Sequence, residues 1–255
     1  MLPELFSIGP FTVHSYGLMV AIGVIAAVWI ADARAMKTGV AEEGFMFMLG
    51  LFSVVGGFLG AKILFWLTIL PDVLANPSIM KDFANGFVVY GGLIGGILTA
   101  IVYCKIKKTD FLDCFDIAAP LIALAQFFGR IGCFLAGCCY GQPTDSPLAV
   151  VFHDSLYAPV DVPLFPIQLV SAVLNLLNFL LLSYLWDRKI KKGAVGAVYI
   201  ITYSVGRFVL EFFRGDLERG SVGTLSTSQF ISIFTVIIGI VFLIRLLCYR
   251  GEERK

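Results

Sequence analysis

Apolar residues run along the chain in long unbroken blocks, with the polar residues gathered between them. Seven blocks reach the roughly 20 residues that a membrane helix requires: about 16–32, 44–70, 87–104, 111–137, 164–186, 194–213 and 226–248. The blocks show no two-residue alternation, which excludes the strands of a membrane barrel. The pattern predicts an all-α, polytopic membrane fold of about seven transmembrane helices. Residues 1–255 read as one integral membrane domain, with no linker, low-complexity tract or internal repeat. The second and fourth blocks are long enough to tilt or to include an interfacial turn. Pro120 is placed to kink the fourth. Residues 1–15 hold no Lys or Arg, so the charged opening of a secretory signal is missing. They read as a short amphipathic lead-in on the membrane face.

Small residues recur four apart at Gly56/Gly60, Gly91/Gly95, Gly92/Gly96 and Gly137/Gly141. That spacing lets helix backbones approach closely. For the run Tyr90-Gly-Gly-Leu-Ile-Gly-Gly96, close approach of the backbone to a ligand is the alternative.

Composition supports the same class. The chain is 58% hydrophobic and 15% charged, with a mean hydropathy of +0.89. Soluble domains are roughly 45–50% apolar and about 25% charged. A disordered chain is excluded, and so is a nucleic-acid binder built on a basic surface. Charge placement then sets the orientation. Twelve of the 19 Lys and Arg residues lie after the first, third and fifth blocks or in the tail. They are Arg34, Lys37, Lys105, Lys107, Lys108, Arg188, Lys189, Lys191, Lys192, Arg250, Arg254 and Lys255. Lys81, Arg214 and Arg219 lie on the other side. The C-terminus is therefore expected in the cytoplasm and the N-terminus outside. The loop 138–163, which has no Lys or Arg, is expected outside.

Four cations remain within or at the ends of the blocks: Lys62, Arg130, Arg207 and Arg245. An intramembrane cation costs about 2.5–3.5 kcal/mol on insertion scales and marks a site by default. Arg245 lies near the end of the last block and can snorkel. Lys62, Arg130 and Arg207 lie roughly 20–28 Å into outward-running helices, at a rise of about 1.5 Å per residue. They therefore share the outer half of the membrane, at the level where Tyr16 and Tyr90 begin inward-running helices. Tyr203, Arg207, Glu211 and Arg214 share a helical face, as do Gln126 and Arg130. The bland reading of the first face is a self-satisfying Arg207–Glu211 pair. The functional reading is a phosphate clamp, because the guanidinium fork matches phosphate oxygens. A phosphate at that depth suggests a phospholipid headgroup.

Of the six cysteines, Cys104, Cys114 and Cys248 read as ordinary membrane-helix residues. Cys133, Cys138 and Cys139 lie together in Gly129-Arg-Ile-Gly-Cys-Phe-Leu-Ala-Gly-Cys-Cys-Tyr-Gly141. Packing, a disulfide, a reactive thiol and a metal site all remain open for them. Neither His14 nor His153 joins the run, so no metal is assigned. His14 reads as an interfacial residue with proton transfer as the alternative. His153 reads as solvated.

These motifs resemble bacterial prolipoprotein diacylglyceryl transferases. Ile8-Gly-Pro-Phe-Thr-Val-His-Ser-Tyr-Gly-Leu-Met19 resembles the family's opening segment, and Gly60-Ala-Lys62 its second-helix segment, with Lys for Arg. Tyr90-Gly-Gly-Leu-Ile-Gly95 resembles a His-Gly-Gly segment. Gly129-Arg-Ile-Gly132 opens the signature Gly-Arg-x-Gly-Asn-Phe-x-Asn-x-Glu-x-x-Gly. Tyr203-Ser-Val-Gly-Arg-Phe-Val-Leu-Glu-Phe-Phe-Arg214 resembles the C-terminal motif. The resemblance implies a multi-pass enzyme of the bacterial cytoplasmic (inner) membrane. Such an enzyme moves diacylglyceryl from phosphatidylglycerol to the lipobox cysteine in a prolipoprotein signal peptide. A thioether forms, glycerol phosphate leaves, and no cofactor is needed. By the same carry-over Arg130 and Arg207 hold the phosphate and steady the leaving group. Tyr16 and Tyr203 orient the headgroup, with Lys62 and Gln168 also on the substrate, and Glu211 and Arg214 close the mouth.

Departures from the family pattern are concentrated in this region. Tyr90 stands at the family histidine, often proposed as the base, and a phenol of pKa about 10 is a poor base at neutral pH. Cys133 and Ala136 replace the two signature Asn, and Cys138 replaces the Glu. Phe165-Pro-Ile-Gln168 lacks the histidine of His-Pro-x-Gln. Two rival readings follow. One is a diverged lipid-group transferase with another acceptor, in which Cys133 or Cys138 acts as nucleophile or redox partner. The other is a phospholipid-binding transporter or scaffold without chemistry.

Overall fold

A computed structural model describes residues 4–8, 11–81, 86–153, 155, 157–216 and 221–248. Of the charges that set the orientation, Arg219, Arg250, Arg254 and Lys255 lie outside the described residues. Seven helices have the length and apolarity to cross a membrane. They are α1 (Ser15–Thr38), α2 (Phe45–Thr68), α4 (Val89–Ile106), α5 (Phe111–Ala136), α6 (Ile167–Asp187), α7 (Ala194–Glu211) and α8 (Thr227–Cys248). Each coincides with one predicted block, so the protein is an all-α, polytopic membrane protein. A short α3 (Leu70–Ala75) and a 3-10 turn (Pro77–Lys81) follow α2. Pro120 lies inside α5, which continues through it. The opening segment takes a definite form. It forms a hairpin of β1 (Glu4–Ile8) and β2 (Phe11–His14), paired antiparallel.

The chain divides into two compact units. One comprises Ala31–Cys114. Within it α2 and α4 pack through their glycines. A Cβ on Gly60 would fall 2.9 Å from the Gly95 Cα, and one on Gly96 would fall 3.2 Å from the Ser53 carbonyl. Gly56 and Gly91 are just as tightly opposed by Thr99 and Gly60. The Tyr90–Gly96 run therefore serves helix packing. At the start of α2, Asp32 accepts hydrogen bonds from the Gly44 and Met46 amides at 2.6 and 3.0 Å. A carboxylate there satisfies orphan amides and complements the helix dipole. Lys62 is buried, its ammonium 5.1–5.7 Å from the ring centroids of Phe65, Trp66 and Phe87. Tyr90, half-buried, is the second residue of α4.

The other unit comprises Met1–Ile30 and Phe115–Lys255. Asp116, fully buried on α5, repeats the Asp32 device: it accepts from the Gly193 and Gly196 amides at 2.7 and 2.8 Å, at the start of α7. The start of α8 is a reciprocal capping box. The Gln229 amide donates to the Ser226 hydroxyl, and the Ser226 amide donates to the Gln229 side chain, both at 3.1 Å. Tyr16 and Met19 of α1 lie against Gly132 of α5, where any Cβ would meet both at 3.2 Å.

The 138–163 loop is built around Phe152, Ala158 and Leu164, with Phe134, Tyr140, Val150 and Val162 packed on them. Strands β3 (Val150–Val151) and β4 (Pro163–Leu164) pair beneath it, and β5 (Ser221–Val222) pairs with β6 (Leu225–Ser226). His153 is exposed, 2.7 Å from Asp161, and His14 is exposed at the end of β2. Gly137 and Gly141 are not a helix-packing pair. Gly137 ends α5, and Gly141 bridges to Arg214 across the loop.

Candidate functional site

A cavity of about 410 Å³ lies among α5, α6 and α7 and the segments that follow α5 and α7. Its polar wall carries Gln126, Arg130, Cys139, Gln168, Tyr203, Arg207 and Arg214. Along α6 the lining extends from Gln168 to Leu181, about 20 Å of helix at a rise of about 1.5 Å per residue. Leu174, Leu177 and Leu181, at the apolar end, are exposed on the helix surface. The cavity is therefore amphipathic: guanidinium groups at one end, and at the other leucines interspersed with Asn175, Asn178 and Thr202.

The three arginines differ in how they are held. The Arg207 Nη2 lies 2.9 Å from the Glu211 carboxylate and donates to the Ser228 hydroxyl at 2.9 Å. The expected self-pair thus forms and lies in the cavity wall. Arg214 is buried and makes a two-point contact with Asp216: Nε to Oδ1 at 2.8 Å and Nη2 to Oδ2 at 2.6 Å. Burial opposes its charge, but Asp216, with Cys139 beside it, holds its pKa above the ordinary value. Asp216 was not anticipated from sequence. Arg130 has no carboxylate partner among the described residues.

Backbone hydrogen bonds set the position of Arg214. The Gln142 amide donates to the Phe213 carbonyl at 3.0 Å, and the Gly215 amide donates to the Tyr140 carbonyl at 3.1 Å. The Gln142 side chain reaches the Phe212 carbonyl at 3.2 Å. These bonds tie the end of α7 to the residues just after the cysteines. Gln168, also buried, donates from Nε2 to the Cys138 carbonyl at 2.9 Å. Its Oε1, and that of Gln126, are buried without a hydrogen-bond partner among the described residues. Gln126 donates from Nε2 to Tyr199 at 3.1 Å. Two carboxamide oxygens in the cavity wall are thus left to accept from something else, since a buried acceptor without a donor costs about 1–3 kcal/mol.

The cysteine run has a local cause. Gly137 takes a left-handed φ of 74°. The Gly137 amide donates to the Phe134 carbonyl at 3.2 Å, and the Cys138 amide donates to the Cys133 carbonyl at 3.1 Å. This is the Schellman helix stop, which places the side chain two positions beyond the helix against the one three positions before its end. Here those side chains are Cys138 and Cys133. Cys139, also left-handed at φ 55°, completes the trio, and the three sulfurs lie within 4.8 Å of one another. All are free thiols. Thiol hydrogen bonds from Cys133 and Cys138 pull the Cys139 pKa down; burial opposes this, and Arg214 and Arg130 reinforce it. Hydrogen bonds with Cys133 and Cys139, and then burial, push Cys138 up.

The structure thus brings Gln168, Tyr203, Arg130, Arg207, Arg214 and Cys139 onto one cavity, with Glu211 bound to Arg207 and Cys133 and Cys138 behind Cys139. Tyr16 abuts α5 at Gly132. Lys62 and Tyr90 belong to the other compact unit.

A family model described as prolipoprotein diacylglyceryl transferase matches residues 3–245. The chain is 48% identical over 242 residues to the phosphatidylglycerol–prolipoprotein diacylglyceryl transferase of Clostridium tetani, covering 94% of this chain and 96% of that protein. It is 44% identical over 243 residues to the second such enzyme of Clostridium perfringens, covering 94% and 93%. It is 34% identical over 269 residues to the Proteus mirabilis enzyme, covering 95% and 90%.

Proposed function

The chain belongs to the prolipoprotein diacylglyceryl transferase family, and we propose that it transfers the diacylglyceryl group of phosphatidylglycerol to the lipobox cysteine thiol of a prolipoprotein. The observation that carries this reading is the convergence of Arg130, Arg207 and Arg214 on one amphipathic cavity, with Arg130 lacking a carboxylate partner among the described residues. In the reaction the thiol sulfur bonds to the glyceryl carbon, and the carbon–oxygen bond to the phosphate breaks. Negative charge collects on the departing glycerol phosphate. Fixed guanidinium donors in a water-poor site stabilise such charge without reorganising.

The lining also favours phosphatidylglycerol over an amine-headed lipid. A lipid ammonium would be repelled by the arginines, whereas glycerol hydroxyls can donate to the free oxygens of Gln126 and Gln168. Acyl chains would lie along Leu174, Leu177 and Leu181. Tyr203 and Tyr16 orient the headgroup, and Glu211 steadies Arg207. We take Lys62 and Tyr90 as further substrate contacts, on the family resemblance alone. We treat the whole chain as one functional domain, because the family match spans both compact units. The positive-charge pattern supports placement in the bacterial inner membrane with the N-terminus outside and the C-terminus in the cytoplasm.

The test is reconstitution of the full chain with labelled phosphatidylglycerol and a lipobox peptide, with the thioether product read by mass spectrometry. Arg130→Ala should lower kcat/KM by about 100- to 1,000-fold, the usual effect of losing one fixed donor to a developing anion. Undiminished lipidation by that variant refutes the phosphate site. Glycerol phosphate release without peptide lipidation points to a different acceptor, as the replacements at Tyr90, Cys133, Ala136 and Cys138 would allow.

A further inference from the structure

We propose that Cys133, Cys138 and Cys139 form a three-thiolate zinc centre whose open fourth position binds the acceptor thiol. The inference rests on the transferase reading above and extends it to the activation of the nucleophile. Three sulfurs within 4.8 Å of one another are close to what the ion demands. With zinc–sulfur bonds of about 2.3 Å, tetrahedral ligands lie about 3.8 Å apart. Rotation of the cysteine side chains would have to close the difference. Three protein ligands with a vacant fourth site is the arrangement of catalytic zinc, whereas a structural site closes all four.

The surroundings suit the charge. Zinc with three thiolates carries one net negative charge, and an acceptor thiolate makes it two. Cys139 lines the same cavity as the Arg130 and Arg214 guanidiniums. The centre would thus sit on a wall that carries two guanidiniums, of which Arg214 is already paired with Asp216. Cys139 also lines the phosphate cavity, so a thiol bound there faces the lipid it must attack. A thiol bound to zinc is deprotonated outright and needs no separate base.

The step balances. The acceptor thiol binds zinc and releases its proton to water. A sulfur lone pair then attacks the glyceryl carbon, and the carbon–oxygen bond breaks with its electrons going to the phosphate oxygen. Glycerol phosphate leaves, and the neutral thioether, a weaker ligand, dissociates. No redox change occurs.

The full chain, stripped of metal by chelation under reducing conditions and held in phosphatidylglycerol nanodiscs, would be titrated with zinc or cobalt. One ion per chain should be retained, and cobalt should give a sulfur-to-metal charge-transfer band with tetrahedral visible bands. Each of Cys133→Ser, Cys138→Ser and Cys139→Ser should weaken binding by about 100-fold or more, beyond the usual loss for an outer-shell change. A lipobox peptide should shift the visible bands, and its serine analogue should not. Chelation should cut thioether formation by a similar factor without altering phosphatidylglycerol binding. Failure of the wild-type chain to hold zinc or cobalt overturns the proposal, as does binding of copper(I) alone. A bound ion indifferent to the peptide thiol, or turnover unaffected by chelation, overturns it equally. A peptide-responsive ion without any lipid consumption upholds the centre and sinks the transferase reading instead.

Discussion

Asp216 stands two residues beyond Arg214, in a segment with no helical periodicity, and nothing in the spacing announces it. Its two-point grip on Arg214 appears only when the chain turns after Glu211 and pairs with the residues at 140–142. The arginines themselves were legible, because a cation inside an apolar run is costly enough to mark itself. Their partners were not, because irregular backbone leaves no pattern. The same limit applied to the cysteines. Their spacing of five and one lies on no single helical face, and only the stop at Gly137 folds it into a cluster. The Asp216 contact is predicted to position Arg214 for the phosphate. Asp216→Asn keeps the shape and removes the charge, so it should raise the KM for phosphatidylglycerol by about tenfold, the lower range for loss of a supporting contact. Kinetics at varied lipid fraction would measure this. An unchanged KM would show that Arg214 needs no such support.

At the scale of elements, the seven helices followed from block length alone, and the cation-bearing ends of α2, α5 and α7 followed with them. What escaped was how helices are pinned to one another. Asp32 and Asp116 each cap another helix, at Gly44 and at the far more distant Gly193, and no local spacing marks either acid for that role. Both glycines are left-handed, with φ of 78° and 81°, so their amides turn toward the acid. Asp116→Ala would leave the Gly193 and Gly196 amides buried without an acceptor. The expected loss is about 2–6 kcal/mol, from two orphaned groups at about 1–3 kcal/mol each. Thermal unfolding in detergent would read it as a marked fall in Tm. Because α7 carries both Tyr203 and Arg207, the residual enzyme should also bind lipid more weakly.

For the whole molecule, the charge pattern makes a prediction that no local feature can. Tyr157 in the long loop and Cys248 at the end of α8 are both exposed, and they should lie on opposite sides of the membrane. In intact cells an impermeant maleimide should label Tyr157→Cys above the level of the parent chain and spare Cys248 until the cells are opened. The reverse pattern would invert the topology and place the arginine cavity toward the cytoplasm.

The Schellman turn that gathers the cysteines has a consequence for biogenesis. Its contacts span only six residues, so it can form as soon as α5 ends, while Arg207 and Arg214 are still to be synthesised. The emerging chain would then present three clustered thiols before the anion site exists. Whatever soft ion or oxidant the compartment supplies would meet those sulfurs first, and the lipid pocket would be completed around an already decided chemical state.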